Sequence, residues 1–142
     1  VPDDFEVPFG KARIRRPGDD MSIITYGNTT HLCLNVAERL QREHNRNVEV
    51  IDLRSLIPLD KETIFESVKK TSKVLIVHED KVFSGFGAEI ASMIAELFQY
   101  LDAPIQRVGS LFTPVGFNPI LEKAILPNEE KIYKAAKELL DY

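Results

Sequence analysis

The chain has 142 residues, of which 44% are hydrophobic and 28% charged, and its net charge is −4. This composition excludes a disordered chain and a collagen-like fibre, and the length suits one domain that buries roughly two thirds of its unfolded surface. The negative net charge argues against a nucleic-acid binder. No apolar run approaches the ~20 residues that a membrane-spanning helix needs. Because Cys33 is the only cysteine, the chain cannot form an internal disulfide.

The N-terminal residues differ in character from the rest of the chain. Residues 1–10 contain two prolines, three acidic residues and a glycine. This composition disfavours a helix and predicts an extended linker. We expect the linker to come from a missing upstream domain and residues 11–142 to form the domain itself. A processed or trimmed N-terminus is the alternative.

The first half of the domain predicts two strands and a helix. Residues 12–16 alternate small or apolar with charged side chains, which is typical of a strand near a sheet edge. The β-branched and largely apolar stretch 21–26 predicts a central strand that is covered on both faces. A helix from His31 follows. The apolar face of this helix consists of Leu32, Cys33, Val36, Ala37 and Leu40.

A second strand-helix-strand unit follows. Residues 48–53 predict a third strand, and Asp60 is expected to cap the next helix. The wholly apolar residues 74–77 predict a short fourth strand, which ends in the polar residues 78–80. The helix between these strands is expected to bury Ile64, Phe65 and Val68.

The remaining residues predict two further helices and a last strand. A helix from about Gly87 is followed by a strand at 105–108 and by a loop with one helical turn at 120–123. Asn128 caps a terminal helix. The apolar stripes consist of Ile90, Met93, Ile94, Leu97 and Phe98 in the first helix and of Ile132, Tyr133, Ala136, Leu139 and Leu140 in the second. This alternation of strands and helices predicts a three-layer α/β/α fold.

Polar side chains follow two of the predicted parallel strands. Asn28 and Thr29 come after the second strand, and His78 and Glu79 come after the fourth. Ligands of open parallel sheets favour the crevice beyond the carboxyl ends of the strands, and a histidine beside carboxylates can act as a general acid or base. The alternative is that these residues are polar because the chain reaches the surface there.

A glycine-containing loop opens the helix near Gly87. Backbone N–H groups at a helix start can hold an anion, but a dinucleotide fingerprint needs a third glycine where this chain has Ile90. We therefore expect Gly85 and Gly87 to allow a tight turn and close packing of the helix on the sheet. Cys33 lies on an apolar helix face and is expected to be a buried thiol. The residues predict no catalytic, cofactor-binding or metal-binding side chain.

Five motifs in order resemble one family. They are Asp-Leu-Arg-Ser-Leu-Ile-Pro-Leu-Asp at 52–60, Lys-Lys-Thr at 69–71, His-Glu-Asp at 78–80, Gly-Phe-Gly-Ala-Glu-Ile-Ala at 85–91 and Leu-Asp-Ala-Pro-Ile-Gln-Arg-Val at 101–108. In this order the chain resembles the C-terminal domain of the beta subunit of thiamine-diphosphate-dependent 2-oxo acid dehydrogenases, a transketolase C-terminal-type domain. The resemblance extends over essentially the whole chain.

The resemblance implies a five-stranded, mostly parallel sheet whose first strand, at about 11–16, runs antiparallel. It implies that the parent enzyme oxidatively decarboxylates a 2-oxo acid and transfers the acyl group to lipoamide. Thiamine diphosphate and magnesium would bind outside this domain, which carries neither the thiamine-binding motif nor the catalytic glutamate. The domain would support assembly and docking, and the isolated chain would be inactive.

The resemblance also implies partners and a compartment. The partners are an upstream pyrimidine-binding domain, an alpha subunit or fused alpha part, a second beta copy and the lipoyl acyltransferase core; the compartment is the cytoplasm, or the mitochondrial matrix in a eukaryote. The docking candidates are Glu89, Glu96, Asp141 and Tyr142. Residues 112–117 depart from the Asp-x-Pro-x-Pro pattern of relatives, so no role is carried over to that loop.

A binding module of another class is the alternative. A free-standing flavodoxin- or receiver-like domain would use the crevice between Asn28 and Glu79. A receiver needs an acidic pair after its first parallel strand, whereas residues 26–28 are Tyr-Gly-Asn.

Overall fold

A computed structural model describes residues 4–142 of the chain. The strands are β1 Arg13–Arg16, β2 Met21–Thr25, β3 Val48–Asp52, β4 Val74–Lys81 and β5 Gln106–Ser110. The helices are α1 Thr29–His44, α2 Lys61–Thr71, α3 Phe86–Ala95, α4 Pro119–Ile125 and α5 Glu129–Leu140, with a 3-10 turn at Phe98–Tyr100.

The five strands form one sheet in the order β1-β3-β2-β4-β5. β1 lies at one edge and runs antiparallel to β3, whereas all other neighbouring strands are parallel. The strands β2 and β4 are central, and the apolar residues of β2 are fully buried. The predicted mixed sheet with an antiparallel first strand is therefore confirmed.

Helices cover both faces of the sheet. α1 and α5 pack on one face around Leu40 and Ile132, and α2 and α3 pack on the other around Ile64 and Ile90. The apolar stripes read from the sequence form these two cores, because a helix side with apolar residues every three or four positions must be removed from water. The predicted three-layer α/β/α architecture is confirmed.

The side chain of Asp60 links the residue before β1 to the start of α2 by hydrogen bonds. Its Oδ1 accepts from the N–H of Thr63 at 3.2 Å, and its Oδ2 accepts from the Thr63 hydroxyl at 2.8 Å and the Ala12 N–H at 3.0 Å. Asp60 therefore caps α2 as predicted, and it also anchors a segment distant in sequence. Burial alone would raise the pKa of the Asp60 carboxyl, but these hydrogen bonds and the charge of Lys11 outweigh burial and lower that pKa.

The structure differs from the predicted elements in several places: the last strand ends at Ser110 and not at residue 108, and the single turn predicted at 120–123 is a helix of seven residues. β4 continues past Val77 to Lys81, because Lys81 pairs with Ser110 after an irregularity in the ladder. α1 begins at Thr29 and not at His31. The prediction that Phe98 extends the buried stripe of α3 is wrong: α3 ends at Ala95, and the following 3-10 turn leaves Phe98 75% exposed.

The predicted linker lies partly outside the described residues, which begin at residue 4. Residues 4–10 form no helix or strand and are largely exposed. Gly10 has a φ of +68° and lies against Pro58, where a Cβ would come within 2.9 Å of the proline ring. Within residues 4–142 there is no helix with the length and apolar character needed to cross a membrane.

Candidate functional site

The structure brings Asn28 and Glu79 together at the carboxyl edge of the sheet. They follow the adjacent strands β2 and β4, and Asn28 Nδ2 donates a hydrogen bond to Glu79 Oε1 at 3.4 Å. Both side chains are exposed. Thr29 is buried beside them, and its hydroxyl donates to the Tyr26 carbonyl at 2.9 Å. The predicted crevice is therefore bridged by its own polar side chains.

His78 does not face this crevice. Its side chain is fully buried, its Nε2 accepts from the N–H of Gly87 at 3.0 Å, and its Nδ1 lies 3.0 Å from the Asp80 carbonyl. Because Nε2 is an acceptor, the ring proton lies on Nδ1, which donates to the carbonyl. Both ring nitrogens are thus used inside the protein, and His78 has no nitrogen left for a ligand.

His78 and β4 occupy space that is free only because three neighbouring residues are glycines without side chains. A Cβ at Gly87 would lie 2.2 Å from His78 Nε2, and a Cβ at Gly85 would lie 1.9 Å from the Lys81 carbonyl oxygen. A Cβ at Gly109, in β5, would lie 2.7 Å from the Asp80 carbonyl oxygen. The glycines therefore allow α3 and β5 to approach β4 closely.

The N-terminus of α3 is occupied by the protein's own groups. The N–H of Phe86 donates to Asp80 Oδ2 at 3.3 Å, that of Gly87 donates to His78, and that of Ala88 donates to the Gly85 carbonyl at 3.0 Å. A phosphate at this helix start would have to displace these acceptors, one of them a carboxylate. In the part of the chain that the structure describes, no group of three or more His, Cys, Asp or Glu side chains could hold a metal. These residues do not fit thiamine diphosphate with magnesium.

Tyr26, the residue directly after β2, packs against His78. The two ring centroids are 5.9 Å apart, and the Tyr26 ring meets Phe86 edge-on at 6.5 Å. Burial raises the pKa of the Tyr26 hydroxyl, and the nearby Asp80 carboxylate raises it further. Tyr26 and Gly109 are neighbours of His78 that the sequence motifs do not predict. A glycine inside a strand pattern was the available signal for a close approach at Gly109.

The docking candidates lie on two helical layers. Glu89 is in the first turn of α3 and Glu96 directly follows its last turn, and both are exposed. Neither makes a side-chain hydrogen bond or an ion pair with any residue from 4 to 142. Asp141 follows α5, on the opposite face of the sheet, and its carboxylate pairs with Lys137 at 3.1 Å. Tyr142 is exposed beside it.

Residues 10–132 match the transketolase C-terminal domain family. The chain is 45% identical to the pyruvate dehydrogenase E1 component subunit beta of Rickettsia felis, over 100% of this chain and 44% of that protein. It is 42% identical to the 2-oxoisovalerate dehydrogenase subunit beta of Bacillus subtilis, over 99% of this chain and 43% of that protein. The chain therefore spans less than half the length of these curated relatives.

Comparison with solved structures agrees with the fold. The chain superposes on a split-gene transketolase, described as an inactive beta4 tetramer, with a TM-score of 0.84 at 24% sequence identity. The superposition covers 99% of this chain and 46% of the transketolase chain. The family match assigns the chain to this fold family and not to a flavodoxin- or receiver-like module. The chain therefore belongs to the transketolase C-terminal domain family and, within it, is similar to the beta subunits of 2-oxo acid dehydrogenases.

Proposed function

We propose that this chain is the non-catalytic assembly and partner-docking domain of the beta subunit of a 2-oxo acid dehydrogenase. The parent enzyme oxidatively decarboxylates a 2-oxo acid and transfers the acyl group to lipoamide. Support comes from similarity over nearly the whole chain to beta subunits named for pyruvate and for 2-oxoisovalerate. These two relatives are named for different oxo acids and match at similar identity, so the substrate class that we propose is a 2-oxo acid.

Thiamine diphosphate and magnesium belong, in this proposal, to other parts of the parent enzyme. The N-terminus of α3 supports this division, because the N–H groups of its first three residues are bonded to Asp80, His78 and the Gly85 carbonyl. The role left to the domain is to hold partners. These are the upstream pyrimidine-binding domain, reached through residues 1–10, an alpha subunit or fused alpha part, a second beta copy and the lipoyl acyltransferase core. The parent works in the cytoplasm, or in the mitochondrial matrix of a eukaryote.

The exposed acidic side of α3 carries the docking part of the proposal. Glu89 and Glu96 lie about two helical turns apart, hence on one side of the helix, while Ile90 and Ile94 are buried on the other. Because neither carboxylate has a side-chain partner among the described residues, both are available to pair with basic side chains of another protein. Complementary charge of this kind raises the association rate and selects the partner, and salt weakens it.

The occupant expected on this helix is a basic subunit-binding domain of the acyltransferase. The test is its rate of association with the assembled parent enzyme at low and high salt. We expect the double variant Glu89→Lys, Glu96→Lys to associate roughly ten times more slowly than the unmodified enzyme at low salt, and to lose most of the salt dependence.

A matched control makes the same change of net charge elsewhere. Glu38 on α1 and Glu66 on α2 are exposed glutamates on helices that carry no docking candidate. The variant Glu38→Lys, Glu66→Lys should associate at nearly the unmodified rate. If the α3 variant retains its fold by circular dichroism and still associates at the unmodified rate in low salt, docking does not use α3.

A further inference from the structure

The strand β1 has a free side. It lies at one edge of the sheet, and among the described residues only β3 pairs with it. Residues 4–10, which precede it, form no strand. An edge strand presents unpaired main-chain N–H and C=O groups along its free side. Such groups can bind a further extended strand, which is a recurring way for one protein to recognise a segment of another.

Positive charge is concentrated at this edge. Residues 10–18 contain one lysine, three arginines and no acidic residue, although the net charge of the chain is −4. We call these residues the basic edge. Arg13 is exposed, and its side chain makes no hydrogen bond or ion pair with any residue from 4 to 142. Arg15 is paired only loosely, because its guanidinium lies 3.6 Å from the Asp52 carboxylate. The basic edge therefore attracts an acidic segment.

The same charge disfavours pairing between two copies of this chain at the basic edge. Like charges that lie opposite each other on neighbouring strands are destabilising, and charged side chains on edge strands keep such edges apart. A strand with carboxylates at the matching positions forms cross-strand ion pairs instead. The occupant that this charge selects is an acidic extended segment of another protein.

The two faces of β1 differ, and they define the pattern of that segment. Ile14 lies opposite Ile51, a residue of the core beneath α2 and α3, and directly opposed residues of paired strands point to the same face. Successive residues of a strand point to opposite faces, so Arg13 points away from α2. Arg15 shares the face of Arg13, because both lie beside Asp52. A strand added to β1 would alternate in the same way.

A cavity beside Ile14 can receive a side chain of the added strand. Its volume is about 230 Å³. The buried Glu49 in its wall accepts from the Ser67 hydroxyl at 2.7 Å and is paired with Lys70, so its charge is already balanced. Glu66 is exposed at the cavity, where it would repel a further carboxylate. The cavity therefore favours an uncharged side chain. Its lining consists of Ile14, Glu49, Thr63, Glu66, Ser67 and Lys70.

We propose that the basic edge binds an extended segment of another protein in which acidic residues alternate with aliphatic ones. The acidic side chains pair with Arg13 and Arg15 on one face, and an aliphatic side chain between them enters the cavity beside Ile14. The inference does not rest on the proposed function. It is also separate from docking at Glu89 and Glu96, because an acidic α3 and a basic β1 attract partners of opposite charge.

The test is the binding of a fluorescent peptide, Thr-Glu-Val-Glu-Val-Glu-Thr, to the chain at low salt, measured by fluorescence anisotropy. We expect saturable binding that Arg13→Glu weakens roughly tenfold, because an attraction becomes a repulsion. Lys134→Glu makes the same change of charge at an exposed residue of α5, which packs on β4 and β5, and should bind as the unmodified chain does. Both variants replace exposed side chains, and circular dichroism checks that each retains the fold.

A second peptide separates strand pairing from simple charge attraction. N-methylation of the five inner residues retains the side chains and removes the main-chain donors, so this peptide should not bind. Bound unmodified peptide should slow hydrogen exchange of the main-chain amides of β1 more than those of α5. The proposal is overturned if the unmodified peptide does not bind saturably up to millimolar concentration, if the N-methylated peptide binds equally well, or if Arg13→Glu binds as the unmodified chain does.

Discussion

The N–H of Gly87 donates a 3.0 Å hydrogen bond to Nε2 of His78, and this contact fixes the start of α3 on the buried strand β4. The other ring nitrogen of His78 is held by the Asp80 carbonyl. A histidine in a polar His-Glu-Asp run thereby becomes part of the core, because both of its nitrogens have partners. The closeness of helix and strand depends on the missing side chain of Gly87.

Gly87→Val should destabilise the fold by about 1–3 kcal/mol or more. The first added carbon would lie 2.2 Å from His78 Nε2 and 3.2 Å from Ile76, so α3 or the His78 ring must move. The free energy of unfolding in urea measures the effect. Ala95→Val, at an exposed position in the last turn of α3, is the control and should cost only about 0.5 kcal/mol. An unchanged denaturation midpoint for Gly87→Val would show that the close packing is not required.

Stability should depend on pH through Asp60. The folded pKa of Asp60 is lowered below the ordinary value of about 4, so the unfolded chain binds more protons between these two values. This stabilisation is complete above the unfolded pKa and is lost as the pH falls through the folded pKa. The free energy of unfolding of the unmodified chain should therefore fall more steeply than that of Asp60→Asn between about pH 5 and pH 2.

Thr63→Val gives an intermediate case, because it removes the Thr63 hydroxyl, one of the donors to Asp60, and retains the carboxylate. It should reduce the difference between the two pH profiles without abolishing it. Parallel profiles for the unmodified chain and Asp60→Asn would contradict the assignment of this pH dependence to Asp60. Asp60→Ala removes the cap of α2, which an asparagine can still provide. Its free energy of unfolding at neutral pH should therefore be ~1 kcal/mol lower than that of Asp60→Asn.

Cys33 should be inert while the chain is folded. Its side chain is fully buried on the inner face of α1, as predicted from the sequence, and burial raises the pKa of the thiol to about 12. A disulfide reagent at about pH 8 should modify Cys33 only in guanidinium, where the chain is unfolded. Complete modification of the folded chain within minutes would contradict this burial.

Much of the fold is predictable because its residues follow local rules. The apolar stretches of β2 and β3, the spacing of buried residues in α1 and the caps Asp60 and Asn128 each identify an element and its boundary. The last four residues of β4 are not predictable in this way. Their pairing with β5 depends on an irregular register, and no apolar alternation marks it.

The environment of His78 is unpredictable for a related reason. The sequence places His78 at a strand end, where polar residues normally reach water, and only the packing of Gly87, Gly109 and Tyr26 around it makes the site a buried one. The spacing of apolar residues also fails to predict that Phe98 is exposed. Its exposure arises because α3 ends at Ala95 and Phe98 lies in the following 3-10 turn, where the helical spacing no longer applies.

The central claim is that this domain holds partners and does not itself hold the cofactor. Titration calorimetry of the isolated chain with thiamine diphosphate and magnesium tests it most directly, with an assay for 2-oxo acid decarboxylation on the same sample. The start of α3 is filled by His78 and Asp80, so we expect no saturable heat and no decarboxylation. Saturable binding at micromolar cofactor would contradict the assignment of this chain as an assembly domain.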